Sequence, residues 1–189
     1  MEIKPLGKND MEAAIDLYAR RMSESDYFKA LFRLRRGNDS DELAAKIAMD
    51  VGPVLEKTAA YGTSLGAWES GTLAGILVCF WYKVVRQHDK TLFDMAFRDA
   101  GGKVIEESGL HGRLASLDGA ILYNLALCTA PGNGYDRAAV RLLDSVKTRL
   151  RPDWVAEAVH GSDGMAKYAG LNCQAYKLDD GRILCTVRT

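Results

Sequence analysis

Long apolar runs, an excess of either charge, paired cysteines and proline are all scarce in these 189 residues. The longest apolar stretch, Leu73 to Tyr82, stops at Lys83 and is about half of the roughly 20 residues a membrane-spanning helix needs, so it reads as a core strand. The opening MEIKPLGKND carries charge where a signal peptide has its apolar region, so neither export nor membrane anchoring is expected and the expected location is cytoplasmic. The 25 Lys+Arg and 25 Asp+Glu cancel, which removes the general electrostatic reason to bind nucleic acid or an anionic membrane. Cys79, Cys128, Cys173 and Cys185 are far apart and show no CxxC spacing, so neither a metal site nor a disulfide framework is expected. Four thiols in a reducing compartment fit better. Only 4 prolines interrupt the chain.

What is present is ordinary globular composition, 48% hydrophobic and 26% charged, in a length that suits a single domain over residues 1–189. Glu2 to Leu6 alternates and reaches Pro5, as an edge strand does. Asn9 and Glu12 have capping-box spacing ahead of Met11, Ile15, Tyr18 and Met22, which recur at helical period. A second short helix is expected from Tyr27 through Leu31 and Phe32 to the basic Arg33, Arg35 and Arg36, cations that suit a helix C-terminus. Asp39 and Glu42 suggest another capping box, before a helix through Leu43, Ile47, Val51 and Leu55 that Gly52 and Pro53 should break or kink. SLGAWES, a turn at Gly71 and Thr72, and LAGILVCFWYKVV read as a hairpin whose second strand is apolar enough to be central. Residues 86–120 are more polar and read as an insertion or lid, with Phe93, Met95 and Phe97 weakly helical. Then come the strand ILYNLALCT, the loop APGNGYD and an amphipathic helix with Val140, Leu143 and Val146 on one side. The strand DWVAEAV follows, next a short helical segment around Met165, Tyr168 and Ala169, and last a hairpin turning at Asp179-Asp180-Gly181.

This order, with MEIKPL before a helix, LAGILV in the central strand, LALCTAP entering the loop and MAKYAGL after the fifth strand, resembles the GNAT superfamily of N-acyltransferases along nearly the whole chain. The resemblance implies an α/β fold with a mixed, largely antiparallel central sheet flanked by helices and with splayed central strands. It also implies acetyl-CoA or another acyl-CoA as co-substrate and a primary amine of a small molecule as acceptor, with direct attack and no metal. Acyl-CoA carries a pyrophosphate, and a glycine-bearing loop entering a helix N-terminus presents unpaired N–H groups and a positive dipole end to such an anion.

By resemblance the donor lies along Leu127, Cys128 and Thr129, and its phosphates meet Gly134, Tyr135, Arg137, Ala138 and Ala139. The family's loop has Gln or Arg, two residues, Gly, one residue, then Gly or Ala. Matched from Pro131, those places fall on Gly134, Arg137 and Ala139, and only Ala139 fits. Asp136 either approaches the phosphates or simply caps the helix. Cys128 need not be a nucleophile, since a small buried hydrophobe serves equally. An attacking amine must be neutral, and His160, at the end of the fifth strand, is the candidate base. Tyr168 is the candidate acid for the departing thiolate, or else a packed tyrosine with its hydroxyl bonded locally. Where many family members carry a Glu before the loop, this chain has Tyr123 and Asn124, either of which could orient substrate. Three readings stay open: an acyl-CoA-dependent N-acyltransferase, an enzyme taking its acyl group from an acyl carrier protein, and a non-catalytic ligand-binding domain. A homodimer is compatible with each.

Overall fold

The structure, a computed structural model, describes residues 1–25, 29, 40–97, 109–131, 135–160, 164–165, 168, 170–179 and 181–189. The expected helix from Tyr27 with its arginines, the Asp39 end of a capping box, residues 98–108, Gly134 and Ala169 lie outside them. The described residues group into two compact units, Met1–Val78 with Ala126–Leu143, and Cys79–Leu125 with Asp144–Thr189.

In the first unit β1 (Glu2–Pro5) pairs antiparallel with β2 (Leu65–Glu69), and β2 with β3 (Thr72–Trp81). Ser70 and Gly71 both have positive φ, 51° and 82°, as a two-residue hairpin loop requires, and Thr72 already pairs with Glu69. The turn therefore sits one residue earlier than the expected Gly71-Thr72. The Asn9–Glu12 capping box does not form. A 3₁₀ turn over Lys8–Asp10 moves the helical entry back to Gly7, and the Asp10 carboxylate accepts the Gly7 N–H at 2.8 Å. α1 (Met11–Ser23) then packs on α2 (Ser40–Ala59) through Ala19, Leu43, Ala44 and Ile47, with Tyr18 and Met22 against them. Burying one large apolar side chain there contributes about 1.5–3 kcal/mol. α2 runs through Pro53 rather than breaking at it. Pro53 and Met49 both face solvent, so water can reach the Met49 carbonyl that the missing N–H would have met.

The second unit corrects the expected strand through Val85, because β3 ends at Trp81 and α3 (Tyr82–His88) follows at once. Tyr82 and Val85 are both fully buried while Lys83 and Val84 face out, a three-residue spacing that a helix satisfies and a strand cannot. α4 (Lys90–Ala96) is capped by Asp89, whose carboxylate accepts the Leu92 N–H at 2.9 Å. With α5 (Gly109–Ala115) these helices carry an aromatic cluster of Phe93, Phe97 and His111 onto Phe80, Tyr82 and Tyr123. The Tyr82 hydroxyl meets His111 Nδ1 at 2.9 Å within it. The described parts of residues 86–120 thus contribute Leu92, Phe97, Leu110 and Leu114 to the core.

β4 (Ile121–Thr129), α6 (Tyr135–Leu150), β5 (Trp154–Val159), β6 (Cys173–Lys177) and β7 (Ile183–Arg188) complete the order. Val140 is 48% exposed, so it does not share the buried side of α6; that stripe is Ala138, Ala139, Leu142, Leu143 and Val146. Among the described residues the sheet has seven strands in the order β1-β2-β3-β4-β5-β7-β6, with β3 and β4 each running through both units. It is a mixed α/β fold with a largely antiparallel sheet, as expected, and β4–β5 is its parallel pair. No helix of the described residues is long and apolar enough to cross a membrane.

Candidate active site

β4 and β5 are clamped together where they begin. The Ala120 carbonyl accepts N–H bonds from Asp153 and Trp154 at 2.9 and 3.1 Å, and the Asp153 carboxylate accepts the Ala120 N–H at 2.6 Å. Gly119 makes this possible: its φ is +87°, and a Cβ there would lie 2.2 Å from an Asp153 carboxylate oxygen. From the clamp the parallel ladder runs through Ile121–Trp154, Leu122–Val155 and Tyr123–Ala156. Both strands continue beyond it, β4 to Thr129 and β5 to Val159, but β5 stays paired along its whole length with β7. The expected splay thus opens at Asn124 and Glu157.

Those two residues and Tyr168 form a buried polar chain there. The Tyr168 hydroxyl donates to Glu157 Oε2 at 2.6 Å, and Asn124 Nδ2 donates to the Tyr168 oxygen at 3.3 Å. Asn124, Glu157 and Tyr168 are exposed by only 1%, 5% and 2%. A parallel register places side chains of paired positions on one face, so Asn124 and Glu157 project to the same side, opposite to Tyr123. Tyr168 reaches them from a tight turn in which its N–H meets the Met165 carbonyl at 2.9 Å. The helical segment expected here is helical at Gly164 and Met165 and already a turn at Tyr168.

Burial pushes the Tyr168 phenol well above its ordinary pKa, the Glu157 charge and hydrogen bond push it further, and the Asn124 bond opposes them. Burial also raises Tyr123, against the pull of the Arg182 charge. Both phenols stay neutral at physiological pH.

The other residues singled out by sequence fall elsewhere. Leu127, Cys128 and Thr129 are buried at the end of β4, and Thr129 Oγ1 has no hydrogen-bond partner in the protein. β3 lies against them so closely that a Cβ on Gly75 would be 3.0 Å from Thr129 Cγ2 and 3.2 Å from the Cys128 carbonyl oxygen. α6 begins at Tyr135, six residues on, with Arg137 exposed on its first turn and Ala138 and Ala139 buried beneath. An exposed cation on the first turn of a 16-residue helix suits an anion there. His160 follows β5 and is half-buried. Glu157 was missed by sequence reasoning, although one signal was available, a carboxylate in the otherwise apolar strand WVAEAV.

No protein-family model matches the chain, and no curated protein does. Solved structures do. The PaiA N-acetyltransferase from Thermoplasma acidophilum, determined in complex with coenzyme A, has a TM-score of 0.60 at 14% identity, over 100% of this chain and 98% of that one. A putative arylalkylamine N-acetyltransferase 7 from the yellow fever mosquito Aedes aegypti has a TM-score of 0.60 at 11% identity, over 98% of this chain and 86% of that one. The C-terminal condensation domain of Ebony, in complex with beta-alanyl-dopamine, reaches 0.62 at 11% identity, over 100% and 98%. At such identities the likeness is one of fold, and the fold of this chain is that of the GNAT N-acetyltransferases.

Proposed function

We propose that the chain is an N-acyltransferase that moves an acetyl or other acyl group from coenzyme A to the primary amine of a small molecule. The observation that carries the reading is the parting of β4 from β5 beside a buried chain of polar groups. The neighbours add support, since one was determined with coenzyme A and another with beta-alanyl-dopamine. A reducing cytoplasm, where cysteines stay out of disulfides as Cys79, Cys128, Cys173 and Cys185 do, is the proposed setting.

In the proposed reaction the amine lone pair attacks the thioester carbonyl carbon, the C–S bond breaks and an amide forms. The amine proton passes to His160, directly or through water, and the sulfur leaves as coenzyme A thiol once protonated. Tyr168 is proposed to supply that proton by turning its O–H away from Glu157. Leu127, Cys128 and Thr129 are proposed to flank the donor. Arg137, with the N–H groups opening α6, is proposed to meet its phosphates.

The test is an assay with acetyl-CoA and a panel of tyramine, 2-phenylethylamine, agmatine and spermidine, read as thiol release and as amide by mass. Turnover of one or more amines is expected. Turnover only from an acyl carrier protein would identify the other donor, and donor binding without any turnover would identify a ligand-binding domain.

A further inference from the structure

We propose that Asn124 is the residue that grips the acceptor nitrogen, through its side-chain oxygen. This rests on the N-acyltransferase reading and assigns within it the group that distinguishes an amine bearing N–H from one without. Hydrogen-bond direction fixes the orientation of the amide. Across the 2.6 Å contact the Tyr168 hydroxyl is the donor and Glu157 Oε2 the acceptor. The Tyr168 oxygen, its own hydrogen spent, can only accept across the 3.3 Å contact, so the group facing it is the amide nitrogen of Asn124. The order Glu157, Tyr168, Asn124 therefore locks the amide in one of its two orientations and leaves Oδ1 as the free end of the chain.

That oxygen is buried and has no hydrogen-bond partner in the protein, while the residue as a whole is 1% exposed. A buried amide oxygen without a donor costs about 1–3 kcal/mol, and a strand position in ILYNLALCT could have been filled by any aliphatic residue at no such cost. Asn124 is also the first β4 residue beyond the ladder with β5, where the two strands part. What the oxygen takes is a donor. In the proposed reaction the N–H groups of a primary amine supply one beside the carbon to be attacked, and the same contact holds the lone pair to a fixed direction.

The test pairs Asn124→Leu, which keeps the volume and deletes the acceptor, with wild type. Three quantities are measured: KM and kcat for the best amine of the panel, acetyl-CoA affinity by calorimetry, and inhibition by the N,N,N-trimethyl derivative of that amine, which has no N–H. Wild type should bind the amine about tenfold or more tightly than the trimethyl derivative, whereas Asn124→Leu should bind the two alike. In the variant the amine KM should rise about tenfold and acetyl-CoA affinity should stay within about twofold. A merely structural asparagine would not carry the N–H discrimination. Unchanged amine KM and discrimination in the variant overturn the assignment, as does a loss confined to acetyl-CoA, which would give the N–H to the donor. Should the leucine variant not fold, Asn124→Ala is read by the same criteria. A wild type that acylates no amine and binds no acetyl-CoA overturns the underlying reading and this assignment with it; an active wild type with an indifferent variant overturns the assignment alone.

Discussion

Tyr168 donates its phenolic hydrogen to Glu157 at 2.6 Å, joining a turn to a central strand through two buried polar groups. The bond ties folding and the proposed chemistry together, so changes at either end should register in both.

Tyr168→Phe keeps the ring and removes a hydrogen bond to a buried carboxylate, a kind typically worth about 1.5–3 kcal/mol. Urea unfolding should report a loss of that size. If the hydroxyl also protonates the leaving sulfur, kcat should fall about 10²- to 10⁴-fold in the fraction that remains folded. A turnover loss under about tenfold, with the stability loss present, would assign Tyr168 a positioning role only. Tyr123→Phe serves as the control, because its ring lies among Phe80 and Phe97 on the opposite face.

Alkaline pH should unfold the chain through its buried phenols. Tyr82, Tyr123 and Tyr168 all have pKa values raised, chiefly by burial. For a raised group the folded state holds the proton more tightly than the unfolded one. Its contribution is therefore complete below the ordinary phenol pKa of about 10 and is lost as pH rises above it. The Tm measured from pH 8 upward should be flat with respect to these groups until about pH 10 and then fall. Tyrosinate absorbance from the three should appear together with unfolding, and early ionisation of all eight tyrosines in a folded chain would contradict this.

Arg137→Glu reverses an exposed charge on the first turn of α6. Stability should move by no more than about 0.5 kcal/mol, as at most surface sites. Coenzyme A affinity should drop tenfold or more in calorimetry, because the reversed charge opposes the phosphates. Equal affinity would move the phosphate site away from this helix.

His160→Gln should lower turnover while leaving acetyl-CoA affinity unchanged, and the acidic limb of the kcat/KM profile should disappear with the imidazole. An unaltered limb removes His160 from the mechanism.

Gly119→Ala should be damaging out of proportion to its size. The new methyl would meet the Asp153 carboxylate that holds the Ala120 N–H, at a backbone position where alanine is already strained. A loss of about 1–3 kcal/mol is expected from strain alone. Turnover of the folded fraction should fall too, since the clamp sets where β4 and β5 part. Wild-type Tm in this variant would show that the clamp yields without consequence.

The sequence by itself determined the order of elements and their character, because hydrophobic period is a local property. ILYNLALCT could only be a buried strand, and the hairpin closing at Gly181 was written in its turn residues, with Gly181 at φ +84° and its N–H on the Leu178 carbonyl. The resemblance to acyltransferases rested on that order, and the fold agrees with it. Tertiary structure decided what depends on partners distant in the chain. Tyr82 to Val85 are as apolar as the strand they follow, and only the burial of Tyr82 against His111 on α5 selects a helix there. The helical entry moved from Asn9 to Gly7 because a 3₁₀ turn, invisible to periodicity, preceded the helix. Asn124 stood out as a polar residue in an apolar strand and Glu157, which carried the same signal, was passed over, but neither could be linked to the other or to Tyr168 from spacing. Their meeting is a product of parallel pairing between β4 and β5, and register between strands about 30 residues apart is set by the clamp at Gly119 and Asp153 rather than by any local pattern.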